Sequence, residues 1–265
     1  MKTIEFYQID TFTDELFKGN PAGVCPLDEW IDESIMQSIA YENNLSETAF
    51  YVKSGKTFEI RWFTATTEVD LCGHATLASA FVEFNIKKNT DEKIIFNSKS
   101  GELSVSKAKN LLSLNFPMDK YTKIDLCTEL TAPFKIKPIE AYKGGSDIML
   151  VFENEEDIKD MLPSLEKIKN IKARGVTVTA KGGISDFVSR FFGPQSGINE
   201  DPVTGSIHTY LTPYWSKILQ KTSMTAFQLS QRGGILNCKQ NKDRVQISGN
   251  AILYLKGEIT ISNHI

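Results

Sequence analysis

Residues 70–76 read Asp70-Leu71-Cys72-Gly73-His74-Ala75-Thr76, and residues 199–206 form a similar turn, Asn199-Glu200-Asp201-Pro202-Val203-Thr204-Gly205-Ser206. Each turn is polar, contains a glycine and follows a segment with the pattern of a strand. The apolar spacing that follows predicts one helix from about Gly73 to Phe84 and another from about Pro202 to Leu219. A charged segment from Ile158 to Ile168 has the same spacing and predicts a further helix. The two halves therefore indicate a duplicated, strand-rich unit that encloses one helix.

Length and composition are those of a globular chain with about two domains. The chain has 265 residues, 41% of them hydrophobic and 24% charged, which is enough to bury a core without disulfides or metals. This composition excludes a mainly disordered protein. We place the boundary at the Phe116-Pro117-Met118 corner, which gives domains 1–117 and 118–265, with the C-terminal strand as an optional completion of the first. A cleft between the domains is the expected ligand site.

Charge and motif content exclude several classes of function. The net charge of −3 gives no basic surface for nucleic acid. No apolar run is long enough to span a membrane, and the N-terminus lacks the pattern of a signal peptide. The four cysteines and three histidines form no CxxC pair and no zinc spacing, and no nucleotide or flavin motif is present. We expect a reduced, cytoplasmic protein without a metal or cofactor.

The second turn has two interpretations. Asp201 and Pro202 suit the N-cap and first positions of a helix, which alone would explain them. Alternatively, unpaired N–H groups near Thr204, Gly205 and Ser206, aided by the helix dipole, bind a substrate carboxylate.

The first turn offers a similar choice. Gly73 and His74 would present a second set of N–H donors, and the His74 ring would hold a substrate oxygen or exchange a proton near neutral pH. A lone histidine is, however, more often a packed or capping residue. Cys72 is equally well explained as a small buried apolar residue.

A third candidate is Glu47 in Asn44-Leu45-Ser46-Glu47-Thr48-Ala49-Phe50. The predicted strand puts it on one face with Ala49 and Tyr51, and apolar surroundings raise the pKa of a carboxyl group. Such a group is suited to take a proton and return it, although a surface glutamate would fit the pattern too. Asn20, in the Phe17–Gly23 loop, would direct its amide at a ligand or simply form a turn.

Taken together, these motifs resemble those of the PhzF-like isomerases of phenazine biosynthesis, within the diaminopimelate-epimerase-like fold. The resemblance runs from Phe17 to Gly234. It implies an α+β protein with two pseudo-symmetric domains, each a β-barrel-like roll around a central helix, and a homodimer.

The resemblance also implies a cofactor-free proton transfer on a small carboxylate substrate. Glu47 matches the main acid/base of the family, and His74 and Asp201 match residues that assist it or position the substrate. The candidate substrate-binding positions are Asn20, Ser46, Gly73, Gly205 and Ser206.

Two departures and two alternatives accompany this hypothesis. The related racemases use a pair of facing thiols, and here only Cys72 is a cysteine, with Pro202 near the other expected position. Ala65 stands where the family often has proline, and we expect only a loop adjustment. The alternatives are an amino-acid racemase or epimerase that uses Cys72, and a ligand-binding or scaffold protein that kept the fold without catalysis.

Overall fold

The computed structural model describes residues 1–261. Its strands are β1 Lys2–Thr11, β2 Asn20–Leu27, β3 Glu47–Ser54, β4 Thr57–Phe63, β5 Glu68–Val69, β6 Lys93–Ser98, β7 Gly101–Ala108, β8 Leu111–Pro117, β9 Tyr121–Ile124, β10 Glu140–Gly144, β11 Asp147–Val151, β12 Val176–Lys181, β13 Phe187–Gly193, β14 Ile198–Asp201, β15 Ser223–Gln228, β16 Gly234–Asn241, β17 Arg244–Gly249 and β18 Ala251–Ile261. Its helices are α1 Glu33–Asn43, α2 Gly73–Phe81, α3 Thr128–Thr131, α4 Glu155–Lys159, α5 Leu165–Lys169 and α6 His208–Leu219, with a π-helical turn at Val82–Ile86 and a 3-10 turn at Pro194–Ser196.

The chain divides into two compact units. Among the described residues, the first contains Met1–Asn115 and Ser248–Ile261, and the second is Phe116–Ile247. Residues 248–261 join the first unit because β18 pairs antiparallel along the whole of β1. Strand β18 therefore belongs to the first unit, the option that the sequence left open, and the division between the units lies at Asn115–Phe116.

In the first unit, a sheet surrounds one buried helix. Its strands pair in the order β18, β1, β2, β3, β4, β6, β7, β8, and only the β2–β3 and β4–β6 pairs are parallel. Helix α2 is buried at every residue from His74 to Phe81 and contacts strands on both sides of this order. A helix built almost entirely of small and apolar residues is stable only when it is enclosed in this way.

The second unit repeats this arrangement. Its strands pair in the order β9, β10, β11, β12, β13, β15, β16, with β11–β12 and β13–β15 parallel. Helix α6 is buried from His208 to Trp215 and packs against β15 and β16. Seven strands of each unit thus share one order and one set of directions, as the duplicated turns predicted.

Two predicted helices differ from the structure. The helix expected from Pro202 begins at His208 instead, and residues 202–207 form a loop and turn after β14. The charged helix expected between Ile158 and Ile168 is two short helices, α4 and α5, with Pro163 between them. Proline lacks the N–H that a continuous helix needs. Within residues 1–261, none of the helices is long and apolar enough to cross a membrane.

Candidate active site

Glu47 and His74 meet in the first unit. Glu47 is the first residue of β3 and pairs with Ala22 of β2, and its side chain is 14% exposed. His74 is the second residue of α2 and is buried. Glu47 Oε2 lies 3.2 Å from His74 Nε2, although the two groups lack the alignment of a hydrogen bond. The structure thus brings together two side chains that are 27 positions apart in sequence.

Burial keeps the His74 ring neutral near pH 7. Removal from water lowers the pKa of His74 from its ordinary value of 6.5 to about 4. A neutral imidazole has one N–H donor and one acceptor nitrogen. His74 is therefore able to donate to a carboxylate through Nε2 or to accept from a protonated carboxyl group there, depending on its tautomer.

Cys72 lies against the other ring nitrogen. Its Sγ is 3.5 Å from His74 Nδ1, and the ligand atoms of Glu47, Cys72 and His74 lie within 4.8 Å of one another. Thiolate, imidazole and carboxylate are ligands that zinc accepts. In this conformation, however, the ring turns Nδ1 to Cys72 and Nε2 to Glu47, whereas one ion binds a single ring nitrogen. The ring bridges its neighbours, and it would have to turn before the three residues could share an ion.

The start of α2 brings main-chain donors to the same group. Cys72 is the N-cap residue, and its side chain makes no capping hydrogen bond. The N–H groups of Gly73 and His74 belong to the first helical turn, where no acceptor exists within the helix. A developing anion beside Glu47 would therefore meet donors at the positive end of a helix dipole.

Asn20 and Ser46 lie together beside the start of β3. Ser46 Oγ donates to Asn20 Oδ1 at 3.4 Å, and Asn20 is fully buried. Ser46 precedes Glu47 in sequence, and Asn20 lies two residues before Ala22, the strand partner of Glu47. Their roles in binding stay predictions.

Asp201 lies in the second unit, where it ends β14 instead of capping a helix. Its Oδ2 accepts a 2.6 Å hydrogen bond from the Thr204 hydroxyl. The Thr204 N–H is not a free donor, because it bonds Gln228 Oε1 at 2.8 Å. The predicted anion site near Thr204 therefore loses that donor, and only Gly205 and Ser206 retain the predicted position at a helix entrance.

Ser206 is held by a cation. Arg174 Nη2 donates to Ser206 Oγ at 3.1 Å, and Arg174 also binds Asp147 through Nε and Nη2 at 2.9 and 2.6 Å. The guanidinium stacks over the Phe191 ring at 5.2 Å. Arg174 could not be recognised from sequence, because nothing near it in the chain indicates a partner 32 residues away.

The two units carry matching residues. Both β4 and β13 contain an Arg-aromatic-Phe segment, Arg61-Trp62-Phe63 and Arg190-Phe191-Phe192. Trp62 pairs with Val69, and Phe191 pairs with Asp201. Val69 and Asp201 therefore correspond, and the residues that follow them correspond in turn: Cys72 with Thr204, Gly73 with Gly205 and His74 with Ser206. Thr204, and not Pro202, thus occupies the position that corresponds to the Cys72 thiol.

Two units of one topology, each with a polar turn at the start of a buried helix, define an α+β protein of the diaminopimelate-epimerase-like class. The fold of a hydroxyproline epimerase from Agrobacterium vitis is similar, with a TM-score of 0.63 at 7% identity over 97% of this chain and 92% of that one. The predicted fold is confirmed.

The family is shown by sequence. A family model described as phenazine biosynthesis-like protein matches residues 9–257. An uncharacterized isomerase of Pseudomonas aeruginosa is 44% identical over 98% of this chain and 99% of its own length. A crystal structure of a PhzF-family phenazine biosynthesis protein from Enterococcus faecalis is 46% identical, with a TM-score of 0.96 over 98% of this chain and all of that one. The chain belongs to the PhzF family of phenazine biosynthesis-like proteins.

Proposed function

We propose that this chain is a cofactor-independent isomerase that moves a proton on a small carboxylate substrate, with Glu47 as the group that carries the proton. The observation that carries the proposal is the 3.2 Å contact between Glu47 and the buried His74. Membership of the family supports it, and so does the name "isomerase" given to a relative 44% identical to this chain.

The reaction needs one group that both accepts and donates a proton. Ionised Glu47 takes a proton from a substrate carbon, and the electron pair moves into the adjacent unsaturated or carbonyl system. The same carboxyl group then returns the proton to another carbon, so the substrate is isomerised and Glu47 is regenerated. General acid–base catalysis by a positioned carboxyl group contributes about 10²- to 10⁴-fold to a rate.

Neutral His74 favours the ionised state of Glu47 when its Nε2 carries the proton. An Nε2–H donor favours the carboxylate before proton removal. The N–H groups of Gly73 and His74 favour the negative charge that develops on the substrate, an effect worth several kcal/mol in comparable sites. We propose that Asp201 positions the substrate, and that Asn20, Ser46, Gly205 and Ser206 bind it. A homodimer without nucleic-acid or membrane partners remains part of the proposal.

The decisive experiment is incubation of a pool of small carboxylates in D₂O, followed by mass spectrometry. The pool contains dihydro-hydroxyanthranilate, amino acids and unsaturated acids. Wild type is expected to add one mass unit to a member of the pool, and Glu47→Gln to lower that rate at least about 100-fold. Glu42→Gln, an exposed glutamate on α1, is the matched control. Full exchange by Glu47→Gln would overturn the proposal, and tight binding of a pool member without exchange would favour a ligand-binding protein.

The Cys72–His74 contact favours one second candidate, a racemase or epimerase in which the Cys72 thiolate removes the Cα proton on one face and a non-thiol acid returns a proton on the opposite face. The thiol lies 3.5 Å from His74 Nδ1, so the ring is placed to accept its proton. This reaction would lose chirality at Cα while deuterium enters. Loss of exchange in Cys72→Ser with retention in Glu47→Gln would select it, and the reverse pattern selects the Glu47 shuttle.

A further inference from the structure

Gln228 joins two parts of the loop that contains Asp201. It ends β15 and is completely buried, with 0% exposure. Its Oε1 accepts from the Thr204 N–H at 2.8 Å, and its Nε2 donates to the Asp201 carbonyl at 2.9 Å. A main-chain N–H only donates and a carbonyl only accepts. These two bonds therefore fix which end of the amide is oxygen and which is nitrogen.

The fixed amide sets the direction of a chain of hydrogen bonds. The second Nε2 proton is donated to Thr204 Oγ1 at 3.2 Å, so that hydroxyl is already an acceptor. Its own proton is directed to Asp201 Oδ2 at 2.6 Å. The order is Gln228 amide to Thr204 hydroxyl to Asp201 carboxylate, and it leaves Oδ2 as an acceptor.

This series of hydrogen bonds is an addition to the elements that the two units share. The shared elements include a serine after β6 and β15: Ser100 donates to the Asp70 carbonyl at 2.8 Å, and Ser230 donates to the Pro202 carbonyl at 2.7 Å. Two residues earlier, Gln228 is matched by Ser98, which bonds the Gly101 carbonyl. The first unit therefore closes the corresponding loop without a buried amide, so the fold as such does not require one at this position.

We infer that Gln228 and Thr204 are positioning residues, which hold the Asp201 carboxylate in one orientation and in its hydrogen-bond-accepting form. The inference rests on the proposed function, in which Asp201 faces the substrate. In this role neither residue needs to contact the reacting atoms. Both act through Asp201.

The first test compares variants in the D₂O exchange reaction. Thr204→Val removes the hydroxyl at nearly constant volume, and an unmade hydrogen bond to a buried charge lowers the rate about 10- to 100-fold. Thr204→Ser restores the hydroxyl and is expected to recover to within about 3-fold of wild type. Thr222→Val, an exposed threonine of the same unit, is the control. Equal rates for the valine and serine variants would overturn the inference.

Gln228→Glu adds a pH signature. An ionised glutamate would put an oxygen against the Asp201 carbonyl and the Thr204 hydroxyl, in place of the donor that both require. We expect a loss of at least about 10-fold at pH 8. The ratio of variant to wild-type rate should rise as the pH falls, because a protonated glutamate regains one donor. A ratio that does not change with pH would contradict the proposed direction of the hydrogen bonds from Gln228 through Thr204 to Asp201.

A second readout does not depend on activity. The side-chain amide protons of Gln228 are expected to exchange with solvent deuterium at least 10 times faster, by NMR, in Thr204→Val than in Thr204→Ser. If Glu47→Gln keeps full activity, the proposed function fails. The amide measurement still decides whether the hydrogen bonds between Gln228 and Thr204 exist. Equal amide exchange in the two variants would show that Thr204 does not hold Gln228.

Discussion

The segments that lead into α2 and α6 share a set of side-chain contacts but differ in chemistry. Around both, an Arg–Glu pair braces the short strand: Arg61 binds Glu68 at 2.7 and 2.9 Å, and Arg190 binds Glu200 at 2.7 and 3.0 Å. Inside both, a side chain bonds the carbonyl four residues earlier, Thr76 to Cys72 at 2.6 Å and His208 to Thr204 at 2.9 Å. His208 is thus the counterpart of a structural threonine and not of His74.

The differences lie at the positions that would meet a ligand. Phe63 pairs with Thr48 in the first unit, and Phe192 pairs with Val176 in the second. This register matches Glu47 with Gly175, so the second unit has no carboxylate there. Its Arg174 side chain binds Ser206, where the first unit has Glu47 against His74. The shared side chains therefore serve the fold, whereas the unshared side chains of Glu47, His74, Cys72, Asp201, Arg174 and Gln228 are candidates for function.

The Arg–Glu braces provide the largest expected effect on stability. The Arg190 side chain is 10% exposed and that of Arg61 is 23% exposed, and Arg190 Nη1 also bonds the Ile158 and Met161 carbonyls. Arg190→Ala should lower the free energy of unfolding by about 3–5 kcal/mol, the cost of breaking a buried pair. Arg61→Ala should lower it by about 1 kcal/mol. Urea denaturation measures both, and equal losses would mean that the two braces are energetically equivalent.

Acid should destabilise both units through their buried histidines. Burial lowers the pKa of His74 and of His208 to about 4, from an ordinary value of 6.5. The unfolded chain therefore binds protons first as the pH falls below 6.5, and the folded state loses roughly 3 kcal/mol per histidine between pH 6.5 and 4. In His208→Gln the fall in unfolding free energy over this range should be about half as steep. An unchanged slope would show that His208 is already protonated in the fold.

Substitution of the two histidines should have different effects on the rate of the exchange reaction. His74→Asn removes the ring beside Glu47, and we expect the deuterium exchange rate to fall about 100-fold. His208→Asn removes a bond to the Thr204 carbonyl, which lowers the melting temperature with a smaller effect on the rate of the folded enzyme. A larger rate loss in His208→Asn would reverse the assignment of the two residues.

Glu47 and His74 could be selected from sequence because each lies in a short motif that resembles a motif of the family. The residues alone also allowed a surface glutamate and a packed histidine, and the structure puts the two side chains 3.2 Å apart. The strand order could be predicted only as a duplication. The predicted start of α6 was wrong because Asp201 and Thr204 are bonded to Gln228, which lies 24 residues beyond Thr204. Local capping preferences favoured a helix at Pro202, and a contact this distant leaves no local pattern.

The smallest expected effect concerns the loss of folding stability at acid pH that comes from the Arg61–Glu68 pair. Arg61, and then Lys99, hold the pKa of Glu68 at about 2, below its ordinary 4.5. The stability that this pairing contributes is complete above pH 4.5 and is lost as the pH falls toward 2. Arg61→Gln should make this fall shallower, by less than about 1 kcal/mol because Arg61 is partly exposed. Glu33→Gln is the control, because its exposed carboxylate also binds Arg61 but leaves the Arg61–Glu68 bonds in place. If Glu33→Gln reduced the loss of stability at acid pH as much as Arg61→Gln does, the acid sensitivity would belong to the Arg61–Glu33 pair. The Arg61–Glu68 pair would then be weaker than its counterpart, Arg190–Glu200.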